Sequence, residues 1–512
     1  MELARTKNTV RNTAWGAIYR LIALVGPFVI KTIIVNKIGL EYSGLNSVFN
    51  DILTMLNLAN LGFSASLVYT MYEAVAKEDN AAICAMINFF RKVYRIVGLV
   101  ILGLGICVMP FLPQLVGSEV PEGANLYVMF GLYLSATVMD YVLFGYVNAI
   151  FSAYQREDTR LKIMTVRYIV QYILQIVILA VFENYYAYLV TLPLMVIPNS
   201  LANYYAARKQ YPQIRCEGTP SKEVKQGIYR RVGTLFTHTL GNTLLVHIDS
   251  ILILAFLGLS VQSRYSIYYY ILTAVNGVVE IVTNGARAGI GNKLIIDDEE
   301  TNHKLFLNLS YGWVALIGMC ATFMLCLYQP FVGGIWFNAE KLLDDRVAIA
   351  MAVLFYTWMF RLMQLTYRDA AGLWTKDWLK PIVAMGIKLI FSVVLVKLTN
   401  DVTGILIPTI FTLGVIYFPW EAWVLYKHLF HRSWQGYIGK MLKYTVMTLL
   451  GAVLCYGACT LLAPGNSMVS FLVRLCLTGV IFPVVWVACT FRTEEFRYCL
   501  ARVRSMLGGR RK

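Results

Sequence analysis

Several charged residues stand in or beside long apolar runs, where a charge needs a reason to be, and eight of them are weighed first. Arg20, Lys31, Arg95, Arg361, Lys388 and Arg474 are basic; Asp249 and Glu280 are acidic. A charge in hydrocarbon costs roughly 2.5–3.5 kcal/mol on insertion scales, so it is kept where it faces a hydrated cavity or a partner. Fixed cations in a cavity receive an anion; a carboxylate there pairs with a cation or carries a coupling ion. Arg20 and Lys31 are 11 residues apart, three helical turns, so they share one helix face, with Pro27 between them as a kink. Asn46, Asn50, Asn57, Asn60 and Ser64 form a second stripe. His238, Asn242 and Asp249 form a third, and Asn276, Glu280 and Arg287 a fourth. The stripes either line a hydrated central cavity or hold helices together by hydrogen bonds. Both readings stay open for the Asn and Ser residues. Lys31, Arg361, Lys388, Asp249 and Glu280 are read as facing the cavity. Arg20 and Arg95 lie close enough to a membrane face to snorkel. His238 is a candidate proton-coupling group, because imidazole titrates near neutrality; a hydrogen-bonding filler is its other reading. Asp51 and Asp140 fall off the stripes and receive no role.

The elements that must carry these residues follow from composition. The chain has 512 residues, 58% of them hydrophobic and only 14% charged. Soluble domains run nearer half apolar and a quarter charged, so an ordinary soluble enzyme is excluded, as are a disordered chain and a disulfide scaffold. A spanning helix needs about 20 mostly apolar residues. The expectation is an all-α integral membrane protein with about 14 transmembrane helices. They fall at 14–36, 45–71, 93–115, 125–150, 164–182, 185–207, 233–258, 264–286, 305–328, 347–367, 381–398, 404–426, 441–462 and 469–490. The first segment is too long for a signal-peptide core and is read as retained.

Forty-five Lys and Arg against 29 Asp and Glu give a formal net charge of +16. With the N-terminus inside, 34 of the 45 fall in cytoplasmic segments and five in outer ones, which predicts cytoplasmic N- and C-termini. The excess is thus a topology signal, and no nucleic acid is expected. Ten cysteines show no CxxC pair and no metal-ligand spacing, and no Walker A motif occurs. No disulfide, metal site, cofactor or catalytic residue is predicted.

Gly39-Leu40 and Gly258-Leu259 recur at an offset of 219, and Asn57 then falls on Asn276. The expectation is two six-helix lobes related by a pseudo-twofold axis along the membrane normal. The N-lobe is 1–207, a cytoplasmic linker 208–232, the C-lobe 233–426, two further helices 427–490 and a basic cytoplasmic tail 491–512.

Several segments are similar to a known family. They are IGLEYSGLNSVFNDIL, NLGFSASLVYTMYEAVAKEDN, FFRKVYRIVGLVILGLG, THTLGNTLLVHIDSILILAFLGL, GARAGIGNKL, QPFVGGIW and AAGLWTKDWLKPIV. Over about residues 8–435 the chain resembles the polysaccharide-repeat flippases of the multidrug/oligosaccharidyl-lipid/polysaccharide exporter superfamily. The resemblance implies a fourteen-helix exporter that moves an undecaprenyl-diphosphate-linked oligosaccharide from the inner to the outer leaflet of a bacterial plasma membrane by alternating access. Chain elongation by a polysaccharide polymerase, and glycosyltransferases that build the repeat, are the partners it implies. It also implies a cationic cavity, with Lys31, Arg361 and Lys388 as its cations and Arg20 as an entry group. Asp249 and Gly291-Asn292 match family positions; Gly285, Gly289 and Gly291 are read as packing glycines. Coupling to a proton gradient, a sodium gradient or the membrane potential stays open. The alternatives are a peptidoglycan-precursor flippase, a cation-coupled multidrug exporter, and a membrane glycosyltransferase or polysaccharide polymerase.

Overall fold

The computed structural model describes residues 2–57, 63–117 and 119–508. Among them every regular element is helical. Among the described residues ten helices are long and apolar enough to cross a membrane, or eleven if 126–142 and 145–153, bent by 51°, count as one span. The chain is therefore a multi-pass membrane protein. The expected spans 185–207 and 264–286 are not among these ten, and the expected span 45–71 includes residues 58–62, which lie outside the described residues. The first two carry Pro193, Pro198, Asn276 and Glu280, polarity that lowers their mean hydropathy. Asn60 of the second stripe lies outside the described residues.

The chain divides into two compact units, 1–263 and 264–512. The first contains α1 Glu2–Ile33, α2 Leu40–Leu56, α3 Phe63–Ala76, α4 Asn80–Val108, α5 Leu112–Val116, α6 Leu126–Val142, α7 Asn148–Ala153, α8 Glu157–Val177, α9 Tyr185–Gln210 and α10 Lys222–Leu257. Several of these helices start at a polar cap. The side chains of Asp79, Asn125, Asn184 and Ser221 accept backbone N–H groups of the first turn, which would otherwise have no acceptor. Gly39 (φ 139°) ends the helical run before it and starts α2 without a loop, a backbone angle that side-chain-bearing residues rarely adopt. Within 208–232, α9 runs to Gln210, and α10 starts at Lys222 and packs on α2 and α3.

Small residues set the helix spacing. A Cβ on Gly26 would stand 2.1 Å from the Tyr172 ring, so α1 and α8 touch there backbone to ring. Gly98 and Gly105 let α4 meet Tyr141 and Leu134 of α6 in the same way. At one end of the α1–α8 seam Arg11 Nη2 donates to Asp158 Oδ2 at 2.7 Å; at the other, Lys37 and Glu183 pair at 2.7 Å.

The second unit contains most of α11 Leu259–Ile296, then α12 Glu299–Phe331, α13 Asp345–Phe360, α14 Leu362–Ala370, α15 Lys380–Thr399, α16 Thr403–Phe411, α17 Phe418–Leu425, α18 Gln435–Leu462, α19 Met468–Thr490 and α20 Glu494–Gly508. α12 is its centre and packs on α13, α18, α19 and α20. Gly318 of α12 and Gly451 of α18 both seat the Phe482 ring.

Candidate functional site

A largely polar hollow of the first unit has a volume of about 410 Å³ and is walled by α2, α6, α8 and α9. The Asn stripe of α2 and its end supplies Asn46, Asn50 and Asn57, and α6 supplies Tyr133, Thr137 and Asp140. Arg167 of α8 and Tyr188 of α9 add to the polar part. The wall is pre-positioned by its own hydrogen bonds. Asn50 Nδ2 donates to both the backbone and side-chain oxygens of Asn46 at 2.8 Å, and the Tyr133 hydroxyl donates to the same Asn46 Oδ1. Two buried atoms keep unused capacity: Asn57 Oδ1 and Arg167 Nε have no hydrogen-bond partner among the described residues. An unmet buried donor or acceptor costs about 1–3 kcal/mol, and an incoming polar ligand removes that cost. Amides, hydroxyls, one carboxylate and one guanidinium around tyrosine rings make a surface suited to sugar hydroxyls and to an anion.

Next to this stripe on α2, Asp51 points elsewhere. Its Oδ1 lies 2.7 Å from Nδ1 of His247 on α10. Both side chains are half-buried. Lys31 of α1 is buried at 8% exposure, and the Asp51 carboxylate acts on it electrostatically.

In the second unit Arg361 does not face open space. Its Nε donates to Glu421 Oε2 at 3.0 Å, and its Nη2 to Oε1 of the same carboxylate. Lys380 Nζ reaches Glu421 at 2.6 Å and Asp377 at 2.7 Å; Arg368 reaches Asp377 at 3.0 Å and Asp369 at 2.9 Å. The guanidinium of Arg361 and the ammonium of Lys380 lie 4.4 and 4.9 Å from the centre of the Tyr417 ring. Arg287 of α11 adds a fourth cation, 3.7 Å from Asp369, so four cations meet three carboxylates. Arg361, Arg368 and Lys380 are each held by a carboxylate, so the cluster ties α13, α14, α15 and α17 together.

The remaining sequence-derived candidates distribute as follows. Arg20 is exposed on α1. Asn242 is half-buried and Asp249 buried on α10, whereas the side chain of His238 lies outside the described residues. Asn276 is buried and Glu280 half-buried on α11. Lys388 is fully buried on α15. Asn50 and Asn57, with Asn46 of the same stripe, are the ones that the structure brings together in one cavity. Sequence reasoning assigns no site role to Asp140, Arg167, His247, Glu421, Asp377, Arg368 or Lys380. By position alone, Arg167, Arg368 and Lys380 count with the cytoplasmic loops. A carboxylate in the apolar run FPWEAW is the one available signal for Glu421.

A family model described as "Polysaccharide biosynthesis protein" matches residues 9–286. No curated protein matches the sequence. Among solved structures, the lipid II flippase MurJ in an inward closed conformation has a TM-score of 0.62 at 13% identity, covering 94% of this chain and 98% of that one. A multidrug-resistance MATE-family transporter of the MOP superfamily, inward-facing, has a TM-score of 0.60 at 13% identity, covering 78% and 93%. The Vibrio cholerae MATE transporter VcmN, as a point mutant, has 0.54 at 12%, covering 83% and 100%. At these identities the likeness is one of fold.

Proposed function

This chain belongs to the polysaccharide biosynthesis protein family, and on that premise we propose that it is a flippase for an undecaprenyl-diphosphate-linked oligosaccharide repeat unit. It carries the unit from the inner to the outer leaflet of a bacterial plasma membrane by alternating access, for capsule, exopolysaccharide or another surface polysaccharide. Fourteen spans with both termini cytoplasmic belong to the same proposal. The observation that carries it is the polar cavity among the helices of the first unit, with unsatisfied Asn57 Oδ1 and Arg167 Nε in its wall.

The physics fits the task. A diphosphate cannot cross roughly 30 Å of hydrocarbon unaided. Fixed cations in a low-dielectric, partly hydrated site offset the hydration it loses. Arg167 and Lys31 serve that end in the first unit and Lys388 in the second, with Arg20 as an entry group. Arg361 acts through its pair with Glu421. Amides and tyrosines of the cavity take the sugar, and the lipid tail stays in the bilayer. An inside-negative potential favours outward movement of negative charge by about 2.3 kcal/mol per charge per 100 mV. A polysaccharide polymerase and glycosyltransferases are its partners in this reading.

The test is reconstitution in vesicles with undecaprenyl-diphosphate oligosaccharide in both leaflets, scored by an external glycosidase. The protein is expected to make the inner-leaflet pool accessible, and Asn57→Leu with Arg167→Gln to slow it. No increase over protein-free vesicles overturns the reading. A response to a lipid-linked peptidoglycan precursor alone favours the peptidoglycan flippase.

A further inference from the structure

A second hollow lies in the first unit, at the end where α4 begins and α9 finishes, and it shares no residue with the cavity above. Its volume is about 90 Å³. Arg91, Arg208 and Arg215 converge on it together with Tyr146, Tyr204 and Tyr211. We infer that this hollow is a phosphate-binding site, for a free phosphate group or for the phosphate of an anionic lipid headgroup.

Three observations lead there. First, the charge is uncompensated. None of the three arginines forms an ion pair with a carboxylate among the described residues, although Arg156 and Arg160 nearby each do. Like charges gathered on one hollow repel, and an anion in the hollow turns that repulsion into attraction. Second, the arginines are partly ordered without a ligand. Arg91 Nη2 donates to Asn88 Oδ1 at 3.0 Å, and Arg208 Nε donates to the Tyr204 hydroxyl at 3.2 Å while lying 5.6 Å from that ring centre. These bonds use one donor of each guanidinium and leave the others for a ligand. Third, the loop bearing Arg215 is pinned to α4. Asn88 Nδ2 donates to Gly218 O at 2.7 Å, and Cys84 Sγ accepts from Arg215 N at 3.1 Å. A preformed site loses little order when it binds.

The hollow suits a tetrahedral anion rather than an oligosaccharide. Guanidinium forks match phosphate oxygens two at a time, and tyrosine hydroxyls donate to the rest. The inference does not depend on the flippase reading; phosphate binding here and glycolipid flipping succeed or fail separately.

The full-length protein in zwitterionic nanodiscs is titrated with inorganic phosphate, against chloride at equal ionic strength, and followed by phosphorus NMR and thermal shift. A parallel arm uses nanodiscs containing phosphatidic acid. Phosphate is expected to broaden its NMR line and raise the melting temperature. Arg208→Gln with Arg215→Gln is expected to weaken binding by about tenfold or more, since each charge-assisted hydrogen bond contributes roughly a factor of ten. Arg215→Gln alone, at an exposed position, guards against a folding defect in the double variant. A response to phosphate assigns a soluble anion, and a response only to phosphatidic acid assigns the lipid headgroup. No response of the wild type in either arm, or an equal response of a folded double variant, overturns the inference.

Discussion

His247 and Asp51 tie α10 to α2: imidazole Nδ1 and carboxylate Oδ1 are 2.7 Å apart, between residues 196 positions apart in the chain. Hydrogen bonds to charged groups contribute about 1.5–3 kcal/mol, and breaking one strands the partner. Asp51→Ala and His247→Ala are each expected to destabilise the protein by about 1–3 kcal/mol. The double variant is expected to cost little more than one single, because the second change removes a group already unpartnered. Thermal melts in detergent of the four proteins measure the cycle; strictly additive losses would show that the pair is not coupled.

The Arg361–Glu421–Lys380 cluster is a stability element. Removing Glu421 leaves the buried Arg361 without its carboxylate, while Lys380 keeps Asp377. Glu421→Gln is expected to cost about 3–5 kcal/mol, whereas Arg361→Met with Glu421→Met costs less, because no charge is then left uncompensated in that pair. Yield of folded protein and melting temperature in detergent check both. A Glu421→Gln protein as stable as wild type would make the cluster ornamental.

The Gly26–Tyr172 contact gives a steric test. Gly26→Leu is expected to separate α1 from α8 and lower the melting temperature sharply, at a cost of about 1–3 kcal/mol or more for overpacking. Tyr172→Ala in the same chain makes room and is expected to restore part of the loss. No rescue would mean that the ring is not what the new side chain meets.

Filling the polar cavity separates function from folding. Asn57→Leu removes an unpartnered buried amide oxygen, so stability is expected to hold within about 1 kcal/mol or improve. Glycolipid translocation in vesicles is expected to fall at least several-fold. Asp140→Asn tests whether the carboxylate contributes a charge or only an acceptor: retained transport would assign it the acceptor role.

Composition alone established a helical membrane protein, and helical spacing placed Asn46, Asn50 and Asn57 on one face, where the structure finds them lining one hollow. Periodicity identifies the face of a helix and says nothing about which helix it meets. Asp140 and Arg167 come from different helices and converge only when α6 and α8 pack around α2's stripe. The same limit hid Glu421, 60 residues from Arg361 and 41 from Lys380. Arg368 and Lys380 read as loop cations because hydropathy averages over a window, yet they are 8% and 1% exposed, enclosed by the neighbouring Asp369 and Asp377 and, for Lys380, by the distant Glu421. The sequence by itself determined which residues carry charge and which helix faces are polar. Only the tertiary structure decided which charges neutralise one another and which are left for a ligand, because Coulomb energy depends on distances through space that chain order does not contain.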